Sequence, residues 1–332
     1  MTLKNSTVVI MGASSGIGHG TAVAFAQEGA NVVLASRNEG TLKDVAKECE
    51  KFGVKTLVVE TDVTDADSVL ELARKAAKVF NGRIDIWVND AGVGAIGNYE
   101  IVPMDSHAQV VAVNLLGYMH GTHAVLPYFK NQRAGTIINM NSIGAYIPTP
   151  YSASYTASKF GLRGFMDAIR AEFREWPDIH VCDVFPSFVS SPGAQHGANY
   201  VGVEMKPMHP TISAHRVAAE IVELAKYPKD KQLLGFTARI AKFIGNLAPE
   251  TSANSLARVM EHHFETGKRA PIGDGNLFSP TPASSSQIEG SYNHIQRNTM
   301  IAGGVLAVAA GAFLAWKINH HEQQPSPYRQ QQ

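Results

Sequence analysis

Tyr155 and Lys159 stand four residues apart in Tyr155-Thr156-Ala157-Ser158-Lys159, and Ser142 lies thirteen residues upstream. Residues i and i+4 of a helix share a face, so this spacing puts a phenol and an ammonium into one space. A free phenol titrates near pH 10 and is a poor acid–base catalyst at neutral pH. A nearby cation favours the phenolate, and each unit of downward shift takes roughly 1.4 kcal/mol. Ser142 can donate a hydrogen bond to a substrate oxygen while Tyr155 transfers the proton. Alone, the same spacing describes a solvent-facing pair on an exposed helix. The elements around it decide between the two.

From residue 7 the chain alternates short β-branched apolar runs with helical segments. Strands are expected at Thr7–Met11, Asn31–Ser36, Lys55–Glu60, Ile84–Asn89, Gly135–Asn141 and His180–Phe185. Helices are expected near Ile17–Glu28, Glu39–Phe52, Ala66–Phe80, Ser106–Asn131 and Ser152–Glu175. This alternation predicts an α/β fold, a doubly wound parallel sheet with right-handed crossovers. Such sheets bind ligands beyond the carboxyl ends of their strands.

The first strand runs into Gly12-Ala13-Ser14-Ser15-Gly16-Ile17-Gly18. Gly12 permits a tight turn, Gly16 lets the backbone approach a pyrophosphate, and Gly18 lets the next helix pack on the sheet. The second strand ends at Ser36-Arg37. An acidic residue there would bind an adenosine ribose and repel a 2′-phosphate, whereas Arg37 pairs with one, so NADP(H) is expected over NAD(H). After the third strand, Asp62-Val63 is placed to reach the adenine edge. Asp62 reads equally as a turn residue.

These elements together resemble the short-chain dehydrogenase/reductase family over roughly residues 5–225. The Gly12/Gly16/Gly18 turn is similar to the family's cofactor loop, with Met11 where threonine is usual. Asn89-Asp90-Ala91-Gly92 resembles its Asn-Asn-Ala-Gly, with Asp90 as the departure. Pro186-Ser187-Phe188-Val189-Ser190-Ser191 resembles its Pro-Gly-x-Val-x-Thr. The resemblance implies a Rossmann fold and a catalytic set of Asn114, Ser142, Tyr155 and Lys159. It assigns Gly12, Ser14, Ser15, Gly16, Ile17, Gly18, Ser36, Arg37, Asp62, Val63, Asn89, Ala91, Gly92, Tyr155, Lys159, Pro186, Val189 and Ser191 to the cofactor. By the same resemblance Asn114 helps hold a relay water, Lys159 lowers the Tyr155 pKa and grips the nicotinamide ribose, and the protein forms dimers or tetramers through its long helices. The implied function is NAD(P)-dependent hydride transfer between a carbonyl and an alcohol. A non-catalytic, membrane-anchored NADP-binding scaffold or sensor is the alternative from another class.

Gly144, Tyr146, Ile147, Pro148, Pro150, Tyr151 and Phe188 place apolar surface near the chemistry, which predicts a hydrophobic small-molecule substrate. The same side chains could instead close the core. A formal net charge of zero gives no reason to expect nucleic acid. His196, His209 and His215 lack metal-ligand spacing, and no metal is expected. Two cysteines in unrelated contexts, Cys49 and Cys182, fit a reducing compartment. No signal peptide is expected, since the chain enters directly into a strand.

The catalytic unit is expected over residues 1–230, followed by a helical extension over 231–268, a flexible Gly/Pro/Ser-rich linker over 269–298, a transmembrane helix over 299–318 and a polar tail over 319–332. The extension reads as a lid, a cover for the sheet edge or a membrane-surface segment. The run Met300–Trp316 carries no charge. At 1.5 Å per residue it reaches roughly 26 Å, close to the hydrocarbon thickness of a bilayer. The expectation is a single-pass C-terminal anchor, with the catalytic domain on the cytoplasmic side.

Overall fold

The computed structural model describes residues 2–205, 207–208, 210–280 and 287–290. Seven strands form one parallel sheet: β1 (Thr7–Met11), β2 (Asn31–Ser36), β3 (Thr56–Glu60), β4 (Ile86–Asn89), β5 (Gly135–Met140), β6 (Ile179–Pro186) and β7 (Lys231–Leu234). Their spatial order is β7-β6-β5-β4-β1-β2-β3, and all neighbours run parallel. The chain reverses direction across the sheet between β1 and β4, which opens a crevice at their carboxyl ends.

Every residue of β1, β4 and β5 is buried, as continuous apolar runs in a doubly covered sheet should be. Side-chain alternation divides the core in two. Val8, Ile10, Ile86 and Val88 face helices α1 (Gly16–Gln27) and α7 (Ala214–Lys226), packing with Phe25 and Ile221. Val9, Met11, Trp87 and Ile137 face the other side, with Tyr118, Phe129 and Leu162. Helices α2 (Glu39–Glu50) and α3 (Ala66–Ala76) complete the crossovers of the β1–β3 half.

Three features depart from the sequence expectations. The helix expected over 106–131 is interrupted: α4 (Met104–Val111) passes into a π-helical turn at Ala112–Leu116 and then into α5 (Gly117–Gln132). The seventh strand, β7, lies past residue 230 and completes the sheet, and only then do α8 (Phe236–Leu247) and α9 (Pro249–Thr266) follow. Finally, the described part of the expected linker lies against the domain. Arg269 bridges Val203, Gly273 bridges Asn199, and Leu277 is fully buried. Among the described residues no helix is long and apolar enough to cross a membrane. The segment expected to do so, 299–318, lies outside the described residues, as does the tail after it.

Candidate active site

The floor of the crevice is backbone against backbone. Gly12 has φ +97°, and a Cβ on it would stand 2.6 Å from the Ala91 nitrogen. A Cβ on Gly18 would stand 2.2 Å from the Gly12 oxygen and 2.7 Å from Asp90 Oδ2. Only glycine permits the Asn89–Gly92 turn and the start of α1 to close on the loop this tightly. The Ser15 hydroxyl makes no cap hydrogen bond at the helix start. Ser14 and Ser15 are half-buried, and Ile17 packs on the core behind the loop. Ser191 approaches from the far bank: its Cβ lies 3.6 Å from where a Gly16 Cβ would be.

Helix α6 (Ala153–Glu172) carries Tyr155 and Lys159 on one face, and Ser142 sits just past β5. Ser142 Oγ and the Tyr155 ring both flank Gly144, 3.4 and 3.2 Å from where its Cβ would be. The Gly144 amide donates to Ser142 Oγ at 3.0 Å and fixes the serine side chain. Lys159 is buried; its Nζ donates to the Met140 carbonyl at 2.9 Å and lies 5.0 Å from the Tyr118 ring centroid. The Tyr155 ring centroid is 5.8 Å from the same Nζ. Burial pushes the Tyr155 phenol up, against the Ser142 hydroxyl, which pulls it down. Burial also pulls the Lys159 ammonium down to about 8, opposed by the carboxylates of Asp90 and Asp183. The expected lowering of the Tyr155 pKa by Lys159 is therefore not what this arrangement gives. The helix spacing is as predicted, but the ammonium is desolvated and turned to Met140.

Asn114 lies in the π-helical turn, a distortion common at functional sites. Its Nδ2 donates to the Val93 carbonyl at 2.8 Å, and its Oδ1 accepts from the Val93 amide at 2.9 Å. The two bonds fix the side chain on Val93 and leave one amide N–H and one oxygen lone pair.

At the other end of the crevice a cleft of about 590 Å³ is lined by Arg37, Glu60, Thr61, Asp62, Ser68 and Pro280. The Ser36 hydroxyl accepts from the Asn38 amide. Asp62 Oδ1 accepts from both the Thr64 amide and the Thr64 hydroxyl, at 2.9 and 2.7 Å, so its turn role is realised. Val63 is buried under Gly117.

The family description "short chain dehydrogenase" matches residues 6–199. The chain belongs to the short-chain dehydrogenase family. It is thus an NAD(P)-dependent oxidoreductase of hydroxyl and carbonyl groups. It is 31% identical over 265 residues to the uncharacterized oxidoreductase YxnA of Bacillus subtilis, covering 78% of this chain and 74% of that one. It is 36% identical over 191 residues to 11-beta-hydroxysteroid dehydrogenase A of Sesamum indicum, covering 57% and 54%. The solved alcohol dehydrogenase of Thermococcus sibiricus, complexed with 5-hydroxy-NADP, superposes with a TM-score of 0.61 at 25% identity, covering 70% of this chain and 96% of that one.

Within this short-chain dehydrogenase, two expected contacts are not available. Asn89 is fully buried, and its side-chain amide is spent inside the sheet on Trp87 Nε1 at 2.8 Å and Asn139 Oδ1 at 2.7 Å. Only its backbone is left to meet a cofactor. Tyr146 was expected to offer substrate surface. It is instead buried against Phe185, with the Arg163 guanidinium 4.6 Å from its ring centroid. It closes a small core cluster. Gly144 packs at Tyr155 and Ser142, while Pro148 and Phe188 stay half-buried. Pro186 ends β6, and Val189–Ser190 pairs with Ile212–Ser213 beside it. Helix α9 reaches the substrate side: Glu261 accepts from the Tyr151 hydroxyl at 2.6 Å, and Phe264 meets its ring edge-on. Tyr151 itself is held at φ +59°, a strained conformation for a non-glycine residue.

Asp90, the departure from the family's asparagine, turns its Oδ2 toward Gly18, and its buried Oδ1 has no partner. Burial pushes its carboxyl up to about 8, opposed by the Lys159 ammonium and the Gly18 amide. An unfolded Asp titrates near 3.9. Between about pH 4 and 8 the folded chain holds a proton that the unfolded chain has lost, so stability falls as pH rises through that window. Asp90→Asn removes the titration. Its thermal midpoint should rise relative to the parent between about pH 5 and 8, by about 2–4 °C per kcal/mol relieved. Melting curves at both ends of the window check this, and an offset independent of pH refutes it.

Proposed function

We propose that this protein transfers a hydride between NADP(H) and the carbonyl or alcohol carbon of a lipophilic small molecule. The observation that carries this reading is the placing of Ser142 and Tyr155 together around Gly144, with Lys159 buried beside them at the carboxyl edge of the sheet. When bound, the nicotinamide supplies or accepts the hydride. Tyr155 gives its proton to the carbonyl oxygen, and Ser142 steadies that oxygen. Lys159, buried beside the phenol, and Asn114 would supply the route for its reprotonation. The glycine-framed cradle fits a pyrophosphate: Gly12, Ser14, Ser15, Gly16, Ile17 and Gly18 would hold it, with Ser36, Arg37, Asp62 and Val63 at the adenosine end. Ala91, Gly92, Pro186, Val189 and Ser191 would frame the nicotinamide half.

Preference for NADP(H) is supported by the Arg37 guanidinium and by the lack of an acidic residue at the end of β2. A similar structure also carries 5-hydroxy-NADP. Glu60 lines the same cleft, and its carboxylate favours NAD(H) as the second reading. A lipophilic substrate is supported by Pro148 and Phe188, and by a relative named for a hydroxysteroid.

The test is nicotinamide absorbance during incubation of the full chain with each nucleotide and a panel of hydrophobic ketones. Binding of nucleotide without turnover on any ketone would sink the enzyme reading. Charge-assisted hydrogen bonds contribute about 1.5–3 kcal/mol. Arg37→Gln should therefore weaken NADPH by about tenfold or more relative to NADH. Equal losses would remove the preference.

A further inference from the structure

One stretch of chain meets the crevice at three places: Arg37, the Gly16 amide and the apolar cluster beside Tyr155. Arg37 donates through NH2 to the Asn276 carbonyl at 2.7 Å and through NH1 to the Leu277 carbonyl at 3.0 Å. Gln109 Nε2 donates to the same Leu277 carbonyl at 3.1 Å. The Leu277 side chain is fully buried among Ala95, Val102, Val110 and Ala198, the cluster on which Tyr155 and Val93 pack. Farther along, the Gln287 carbonyl accepts from the Gly16 amide at 2.9 Å. Ile288 stands 3.1 Å from where a Gly20 Cβ would be, wedged beside Ala218. Two further contacts tie the segment down outside the crevice. Gly273 bridges Asn199, and Glu289 accepts from the Ser213 hydroxyl at 2.7 Å.

These carbonyls stand where phosphate oxygens would. An arginine fork and a loop amide at a helix start are donors suited to phosphate, and here both are satisfied by neutral backbone oxygens of the protein's own chain. A phosphate forms stronger bonds to the same donors, but it can reach them only after the carbonyls leave.

We propose that residues 276–280 and 287–290 act as a built-in competitor of the dinucleotide. In the closed form the segment holds Arg37, the Gly16 amide and the apolar floor beside Tyr155. The cofactor binds the open form. This rests on the reading of the crevice as a nicotinamide dinucleotide site. If nine molecules in ten are closed, the apparent Kd is raised about tenfold over that of the open form. Whatever opens the segment then raises cofactor affinity and withdraws Leu277 from the cluster on which Tyr155 packs.

The test pairs a variant with a measurement on the parent chain. Leu277→Asp puts a charge among apolar side chains and should open the segment. NADPH and NADH affinities are measured by fluorescence titration, and hydrogen exchange is followed for peptides containing Gly273, Asn276 and Leu277. The backbone amides of Gly273 and Asn276 bond Asn199 and His196 in the closed form. The expected result is a roughly tenfold tighter NADPH Kd in Leu277→Asp, and faster exchange of those amides when NADPH saturates the parent chain. Parent exchange is read independently, so a misfolded variant leaves the proposal open to refutation. If NADPH binds the parent and those amides stay protected, or the correctly folded variant binds more weakly, the segment is a wall of the site and the proposal falls alone. If neither nucleotide binds either protein, the cofactor reading falls and takes the proposal with it.

Discussion

Tyr155→Phe is expected to lower kcat/KM for carbonyl reduction by about 10²–10⁴-fold, the range typical of a lost general acid, while leaving nucleotide affinity nearly unchanged. The substitution removes one oxygen and keeps the ring, so the packing of Tyr155 on the cluster of Ala95, Val110 and Leu277 survives. What goes is the proton donor. Burial holds the phenol's pKa above its ordinary value, so at neutral pH Tyr155 is a protonated acid. That state serves reduction directly. Alcohol oxidation needs the phenolate, so its rate should climb with pH through the alkaline range while the reduction rate stays flat near neutrality. Steady-state rates in both directions across pH, for parent and variant, test this. A variant that retains more than about a tenth of parental kcat/KM excludes Tyr155 as the acid.

The sheet was legible in the sequence because β1, β4 and β5 are buried on both faces and are built around apolar runs, Val8–Met11, Ile86–Val88 and Ile137–Ile138. β7 was not. Lys231–Leu234 is four residues long, lies at the sheet edge and contains no β-branched residue, and its pairing partner β6 is some fifty residues earlier. The π-helical turn left only one trace, an asparagine inside a helical run. Helical periodicity does not register one extra residue per turn.

At the site, the Tyr155–Lys159 spacing carried over into geometry, but its electrostatics did not. Which groups a fold desolvates depends on tertiary packing, and here packing turned Lys159 toward Met140. Asn89 shows the same limit: its position at the end of β4 was legible, but not the direction its amide would take. The segment after residue 269 was hardest to read. It is held at Arg37 and Gly16 by backbone carbonyls, which every residue possesses, so its Gly/Pro/Ser-rich composition concealed it. Leu277 and Ile288 were the available signal, two large apolar residues in a stretch that had no need of them as a linker.

Gly18→Ala should be the most damaging single methyl in the molecule's cofactor loop. Alanine is the better helix former by about 1 kcal/mol, and Gly18 lies in the first turn of α1. On propensity alone the variant would gain stability. The new Cβ, however, falls 2.2 Å from the Gly12 oxygen and 2.7 Å from Asp90 Oδ2. Neither neighbour can retreat easily. Gly12 is at φ +97° and already pressed against the Ala91 backbone, and the Asp90 amide is pinned by the hydrogen bond it donates to the Met11 carbonyl at 2.9 Å. Helix α1 must therefore lift from the sheet, which draws Gly18 away from Asp90 and widens the cradle. Overpacking of this kind costs about 1–3 kcal/mol and sometimes more, so the clash outweighs the propensity gain. The expected net effect is a loss of about 2 kcal/mol, or roughly 4–8 °C in thermal midpoint, with nucleotide affinity at least about tenfold weaker. Gly164→Ala, in the middle of α6 with open space around its Cβ, supplies the control and should be neutral or slightly stabilising. Equal effects from the two substitutions would show that helix propensity, and not the contact between loop and strand, governs Gly18.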